Sequence, residues 1–267
     1  MPLAPRPTPR DLAGTRAVFT DLDGTLTTEG LLRPSTYAAI GKLGDAGVPV
    51  VIVTGRPASW GDALARAWPV AAVVTENGGV AHVRNKHGVV SKRLAIPAAR
   101  LAVQRARMEK AIAAACKKVP GARLSADSRY REVDLAIDWN EDVRLPEARA
   151  MELERALRLA GFNAVRSSVH VNVWPGRFDK LSACRWVMKQ VLGRDPAKLA
   201  PYVYVGDALN DEPLFRAFPR AVGVANVARV WDELRYRPAF VTRAAEGKGF
   251  EEVARLILSR AGRSPSS

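Results

Sequence analysis

The sequence predicts a parallel α/β fold interrupted by an inserted α+β domain. Two observations point there: short apolar, β-branched runs recur with helical patterns between them, and the middle of the chain breaks that rhythm with alternating strands. The runs are RAVFT at 16–20, PVVIVT at 49–54, VAAVVT at 70–75, YVYVG at 202–206, AVGV at 221–224 and AFVT at 239–242. Runs of this kind read as strands buried on both faces. Strand, helix, strand in succession then implies a parallel sheet with helices on both faces.

Between the first two runs, PSTYAAIGKLGDAG sets Tyr37, Ile40 and Leu43 on one helical stripe, with Pro34 at the start and Gly47 as the stop. The segments NGGVAH at 77–82 and WPGRF at 174–178 read as the hinges of the insertion. Inside it, helical patterns run near 97–118 and 146–160. Val133, Leu135, Ile137 and Trp139 alternate with Glu132, Asp134 and Asp138, and Val169, Val171 and Val173 alternate with His170, Asn172 and Trp174. That alternation belongs to a sheet packed by helices on one face and open on the other. The resulting division is a disordered leader 1–14, a core of 15–80 and 175–260, an inserted domain 81–174 and a disordered tail 261–267.

Composition narrows the function. The chain has 267 residues, 48% of them hydrophobic, enough for one large or two modest domains. No run approaches the length of a membrane span, and the Pro- and Arg-rich start lacks the apolar segment that secretion requires. Cys116 and Cys184 fall at apolar positions of helical patterns and read as buried thiols, which points to a reducing cytoplasm. The net charge of +14 would suit an anionic partner. The basic residues are scattered over polar helix faces, as at Arg100, Arg105, Arg107, Arg155 and Arg158, with no zinc-finger spacing and no aromatic interleaving. The pattern argues against nucleic acid, whereas a phosphorylated small molecule needs only local positive charge.

Four polar signals end four of these elements. Asp21 and Asp23 follow the first strand in FTDLDGTLT; Thr54, Gly55 and Arg56 follow the second in VIVTGRP; Lys180 opens a helix in GRFDKLSAC; Asp207, Asn210 and Asp211 follow a later strand in YVGDALNDEP. Each set alone is compatible with an ordinary turn or cap. Together, in order and in kind, they resemble the four motifs of the haloacid dehalogenase-like superfamily over about residues 16–257. The TGRP segment and ENGG at 76–79 are similar to its Cof-like type IIB phosphatase branch. With HVNVW and GDALNDEPLF they resemble sucrose-phosphate and mannosyl-3-phosphoglycerate phosphatases.

The resemblance implies a Rossmann-like core, a type C2B cap and a Mg2+-dependent phosphatase acting on a small phosphorylated metabolite. Asp21 would be the nucleophile and, with Asp207, a direct metal ligand; Asp211 would bind the metal or order its waters. Asp23 would lend its main-chain carbonyl to the metal and its carboxyl to general acid and base work. Thr54, Gly55, Lys180 and Asn210 would hold the phosphoryl group. Asp23 is the residue that argues against the dehalogenases and transport ATPases of the superfamily. A sugar-phosphate mutase and a non-catalytic phospho-ligand-binding protein remain as alternatives. The polar cap face, with His170, Asn172 and Trp174, favours a hydroxyl-rich leaving group such as a sugar.

Overall fold

Strand β1 (Ala17–Thr20) is buried along its whole length at the middle of the main sheet. The computed structural model describes residues 3–85, 87–167 and 169–261. After β1 comes a small ribbon of β2 (Thr27–Thr28) and β3 (Leu31–Leu32), then helix α1 (Pro34–Asp45), which begins on proline and stops before Gly47 at φ +73°. Thr36, not Tyr37, joins Ile40 and Leu43 on its buried face; Tyr37 packs edge-on against Trp68. Then follow β4 (Val50–Val53), α2 (Ala58–Ala67) and β5 (Ala72–Thr75), with β4 parallel to both β1 and β5.

At this point the structure departs from the expected boundary at residue 81. Glu76 and Asn77 take φ of 51° and 54°, and Gly78 takes 105°, which reverses the chain within a few residues. Strands β6 (Val80–Arg84) and β7 (Val90–Leu94) therefore return antiparallel along the edge of the main sheet, with Val80 opposite Thr75. Residues 81–94 belong to the core, and the insertion starts beyond Leu94.

The inserted domain contains α3 (Leu101–Lys118), β8 (Arg123–Leu124), β9 (Leu135–Asp138), α4 (Glu147–Leu159), β10 (Asn163–Arg166) and β11 (His170–Trp174). Its antiparallel sheet runs β10-β11-β9-β8. Leu135, Ile137, Val171 and Val173 pack against Met108, Ile112, Leu153 and Leu157 of the two helices. The period-2 register that buries these apolar residues turns His170, Asn172, Asp134 and Asp138 to the opposite face.

The core resumes with α5 (Lys180–Gln190), β12 (Tyr202–Gly206), α6 (Glu212–Ala217), β13 (Arg220–Gly223), β14 (Phe240–Val241) and α7 (Glu246–Ala261). The main sheet reads β14-β13-β12-β1-β4-β5-β6-β7. Val18 lies opposite Val203 and Val50, and alternation sends it to one layer of helices and Phe19 to the other. Val18, Ile52 and Val205 pack with Ile40, Leu43 and Phe250; Phe19, Val53 and Tyr204 pack with Met188 and Phe218. Among the described residues no helix is long and apolar enough to cross a membrane.

The described part of the expected disordered leader, residues 3–14, is instead folded onto the sheet. Leu12 is fully buried in the core, Leu3 and Ala4 pack beside the other layer, and the Pro5 carbonyl accepts the Val241 N–H at 3.0 Å. Thr8 and Asp11 close a turn through their side chains. Burial of these few apolar residues is what the Pro- and Arg-rich composition conceals. Residues 1–2 and 262–267, including nearly all of the expected tail, lie outside the described residues; Ala261 ends α7. Leu12→Ala is expected to lower unfolding stability by about 2–4 kcal/mol in urea titrations. A free leader would leave the midpoint unchanged.

Candidate active site

Strands β12, β1 and β4 are neighbours, and their carboxyl ends deliver Asp207, Asp21 and Thr54 to one place. The Asp21 N–H donates to the Val205 carbonyl at 2.9 Å, continuing the sheet pairing one residue past β1 and fixing the acid's backbone. Carboxylate oxygens of Asp21, Asp207 and Asp211 all lie within 4.8 Å of one another, and all three residues are buried.

Such a cluster needs positive charge. Lys180, the first residue of α5, supplies it: its Nζ donates to Asp21 Oδ1 at 3.0 Å and to Asp211 Oδ1 at 2.7 Å. Asp179 fixes the start of that helix through a capping box with Ser182, so the lysine emerges where the sequence places it. Burial disfavours the ammonium, but Asp21 and Asp211 outweigh it and hold Lys180 protonated.

Asp211 is the hub of the downstream turn. Its Oδ1 also accepts the Tyr204 hydroxyl at 2.6 Å, and its Oδ2 accepts the N–H groups of Asp207 and Ala208 at 2.9 and 3.2 Å. Asp207 accepts the Thr25 hydroxyl at 2.7 Å and the Asn226 amide at 2.8 Å. Gly24, at φ +73°, is required beside it, since a Cβ there would lie 2.6 Å from Asp207 Oδ2.

Asp23, two residues beyond Asp21, is gripped by both arms of Arg56, Nε to Oδ2 and Nη2 to Oδ1, each at 2.9 Å. The third arm of Arg56 donates to Glu141 Oε1 of the cap at 2.8 Å, and Glu141 Oε2 lies 2.9 Å from His170 Nε2. Proximity to His170, then to Arg56, takes Glu141 down to about 2 against the opposing effect of burial. Thr54 is buried and its Oγ1 accepts the Arg56 N–H at 3.1 Å. With Asp21, Asp23, Gly55 and Arg56 it lines a chamber of about 20 Å³ roofed by Ser167, Val169, His170 and Asn172. The Oδ1 atoms of Asn172, Asn210 and Asn77 are buried without a hydrogen-bond partner, so this neighbourhood presents amide groups for something else to satisfy.

The expected open polar face of the cap is therefore not open. It closes over the strand ends, and only His170 and Asn172 of its predicted residues enter the chamber. Asp134 pairs with Arg131; Asp138 caps the turn that presents Glu141; Glu132 reaches Lys92 at 2.8 Å. Trp174 spends its indole N–H on the Phe178 carbonyl at 2.8 Å and lines a separate cleft of about 1020 Å³ that reaches Asn77, Lys180 and Asn210 from the side.

Docking of the cap uses a buried carboxylate in ENGG. Glu76 accepts the N–H groups of Glu132, Val133 and Asp134 at 2.9, 2.6 and 2.9 Å, and that of Ala58 at the start of α2 at 2.9 Å. The sequence signalled Arg56 and Glu76 as members of motifs but gave no partner for either. Tyr204, Glu141, Arg131, Thr25 and Asn226 carried no signal of their own.

With this geometry in hand, a family model for haloacid dehalogenase-like hydrolases matches residues 18–116. Over those residues the chain is similar to the haloacid dehalogenase-like hydrolases. A curated relative, the phosphoglycolate phosphatase of Pyrobaculum neutrophilum, is 28% identical over 254 residues, covering 92% of this chain and 97% of its own. The sucrose-phosphatase of Synechocystis sp. PCC6803, solved with sucrose and phosphate, shares the fold at a TM-score of 0.63 and 16% identity, over 91% of this chain and 98% of its own. A subclass IIB sugar phosphatase does so at 0.60 and 18%, over 85% and 93%. An α/β core with an inserted α+β cap is thus a fold that this chain shares with those phosphatases.

The cluster fits a hard divalent cation. Its donors are carboxylate oxygens, it is buried, and one lysine does not balance it. Burial raises Asp21 most; Lys180 pulls the other way, Asp211 and Asp23 add to the rise, and the carboxyl is pushed up to about 7. Asp207 is also raised, by burial and then by Asp21 and Asp211. Both hold protons in the folded state that the unfolded chain releases near pH 4. Their contribution to stability in the cation-free protein is therefore lost as pH climbs from about 4 through 7. In EDTA, the melting temperature is expected to fall between pH 5 and pH 8, and added Mg2+ should raise it more at pH 8. Asp207→Asn should flatten both effects; an unchanged response in that variant would rule out the cluster as their source.

Proposed function

We propose that the protein is a Mg2+-dependent phosphatase that hydrolyses a small phosphorylated metabolite through an aspartyl-phosphate on Asp21. The observation that supports this most directly is the convergence of Asp21, Lys180, Asp207 and Asp211 beside the Thr54–Gly55 turn, at adjacent strand ends. Asp21 and Asp207 would hold the metal. Asp211, whose oxygens already accept four protein donors, would order its surroundings. When bound, the cation neutralises charge on the phosphoryl oxygens.

The residues of the chain divide the remaining work. A carboxylate oxygen of Asp21 attacks phosphorus while the ester bond breaks, and Asp23 gives its proton to the leaving oxygen. Water then attacks the same phosphorus, Asp23 recovers a proton, and the acyl-phosphate bond breaks to return Asp21 and release phosphate. Lys180, the Thr54 hydroxyl, the Gly55 N–H and the Asn210 amide steady the transferring group. Arg56 holds the Asp23 carboxyl at the chamber and links it to the cap through Glu141.

A chamber of about 20 Å³ admits little more than one or two waters, so the cap has to lift for substrate to enter. A roof of Ser167, Val169, His170 and Asn172 suits a compact leaving group, and the full-length likeness to phosphoglycolate phosphatases supports a short phosphorylated acid such as 2-phosphoglycolate. A sugar phosphate is the second reading, favoured by the wide side cleft with Trp174 on its wall. The free thiols Cys116 and Cys184 agree with a cytoplasmic setting.

Phosphate release from a panel of metabolites, with and without Mg2+, tests the reading; a mutase would interconvert isomers and release little phosphate. Asp21→Asn should reduce turnover to below a hundredth while leaving the melting temperature intact or raised. Retention of a tenth of wild-type activity would refute the nucleophile. His170→Ala should raise KM for the true substrate several-fold and spare p-nitrophenyl phosphate. Equal losses on both substrates would remove His170 from leaving-group recognition.

A further inference from the structure

Gly55 is the least constrained point of the phosphate-facing turn. Lacking a Cβ, it can swing its peptide at small cost, and a Cβ there would fit tightly, 3.3 Å from Asn77 Oδ1 and 3.4 Å from the Asn172 amide. The Gly55–Arg56 peptide is nevertheless tied at both ends. Its N–H donates to Thr54 Oγ1 at 3.1 Å, and its carbonyl accepts Nη1 of Arg131, from the cap, at 2.9 Å.

Arg131 is built to hold that bond. Its side chain has no exposure to solvent; Nε and Nη2 donate to the two oxygens of Asp127 at 2.9 and 3.0 Å, and Nη1 also reaches Asp134 Oδ1 at 2.8 Å. Asp134 in turn accepts the Asn77 amide of the core at 3.2 Å, and Arg105 donates to the Arg131 carbonyl at 2.9 Å. A buried guanidinium already paired with Asp127 and hydrogen-bonded to Asp134 has no electrostatic need for a carbonyl of another domain. What the carbonyl gains is a fixed direction.

We propose that Arg131 is a positioning residue for phosphoryl transfer, clamping the Gly55–Arg56 peptide from the cap so that the phosphate-facing turn is set only when the cap is docked. The proposal rests on the phosphatase reading above, in which residues 54–56 face the phosphoryl group. Because Thr54 Oγ1 accepts from this peptide, its own proton is left for a phosphoryl oxygen. The same peptide starts the Arg56 side chain on its path to Asp23. One bond from the cap thus sets both the hydrogen-bond donors and the proton carrier.

Arg131→Lys keeps the charge and loses the fork. In protein shown to be folded by circular dichroism, kcat on p-nitrophenyl phosphate should fall on the order of 10- to 100-fold, the range for a displaced transition-state donor. The affinity for orthovanadate with Mg2+, measured by calorimetry and so independent of turnover, should weaken by a similar factor, and that for inorganic phosphate by less. If Arg131→Lys does not fold, Arg131→Lys combined with Asp127→Asn lightens the charge the lysine must meet and is read in the same way. A folded variant with kcat and vanadate affinity within threefold of wild type would overturn the role. Phosphate release by the wild type tests the phosphatase reading separately, since the role of Arg131 is read from the ratio of variant to wild type.

Discussion

The ammonium of Lys180, buried between Asp21 and Asp211, is the interaction on which the site depends. Parallel strands that end side by side bring polar residues together at their carboxyl ends, and here they bring three acids close enough to repel one another. A lone buried carboxylate takes up a proton when nothing pairs with it. Lys180 limits that outcome without abolishing it, and the Tyr204 hydroxyl and two main-chain N–H groups draw off the rest of Asp211's charge. The cluster remains short of positive charge at Asp21 and Asp207, and this deficit makes it a place for a cation. The helix that carries Lys180 begins right after the return from the cap, so the charge balance of the core is set where the two domains join.

The cap is attached in different ways. Glu76 collects main-chain N–H groups of residues 132–134, bonds that are buried and cannot be exchanged for water without moving the backbone. Other attachments are ion pairs of side chains: Arg56 with Glu141, and Arg166 of β10 with Glu233 of the core. Side-chain pairs at a partly exposed rim separate more readily than buried main-chain bonds.

The core residues of the site were legible in the sequence because each sits at a strand end or helix start whose local pattern is unambiguous: Asp21 after Ala17–Thr20, Thr54 after Val50–Val53, Lys180 behind its Asp179 cap. Their resemblance to known motifs supplied the grouping that spacing alone could not. Residues that act through distant partners were not legible. Arg131 reaches Gly55 across 76 positions and Glu76 reaches Asp134 across 58, and nothing local marks either pair. The alternating cap strands gave the right faces but not their surroundings, since polar residues pointing away from a helix layer can meet solvent or another domain equally well. The boundary at residue 81 was misplaced because ENGG reads as a hinge by composition, whereas its left-handed residues make a tight reversal into β6.

The folded leader closes a gap in a different sense. A sheet of parallel strands has two rims, each a row of unpaired main-chain groups open to another chain. On one rim β7 carries Lys92, paired with Glu132, and Arg93, which lies over the Trp186 ring. The opposite rim is only the two residues of β14, and Pro5 occupies the Val241 N–H there. Proline accepts this contact but has no N–H to offer onward, so the added segment ends the ladder where it covers it. A segment that looks dispensable by composition thereby covers the short edge of the sheet.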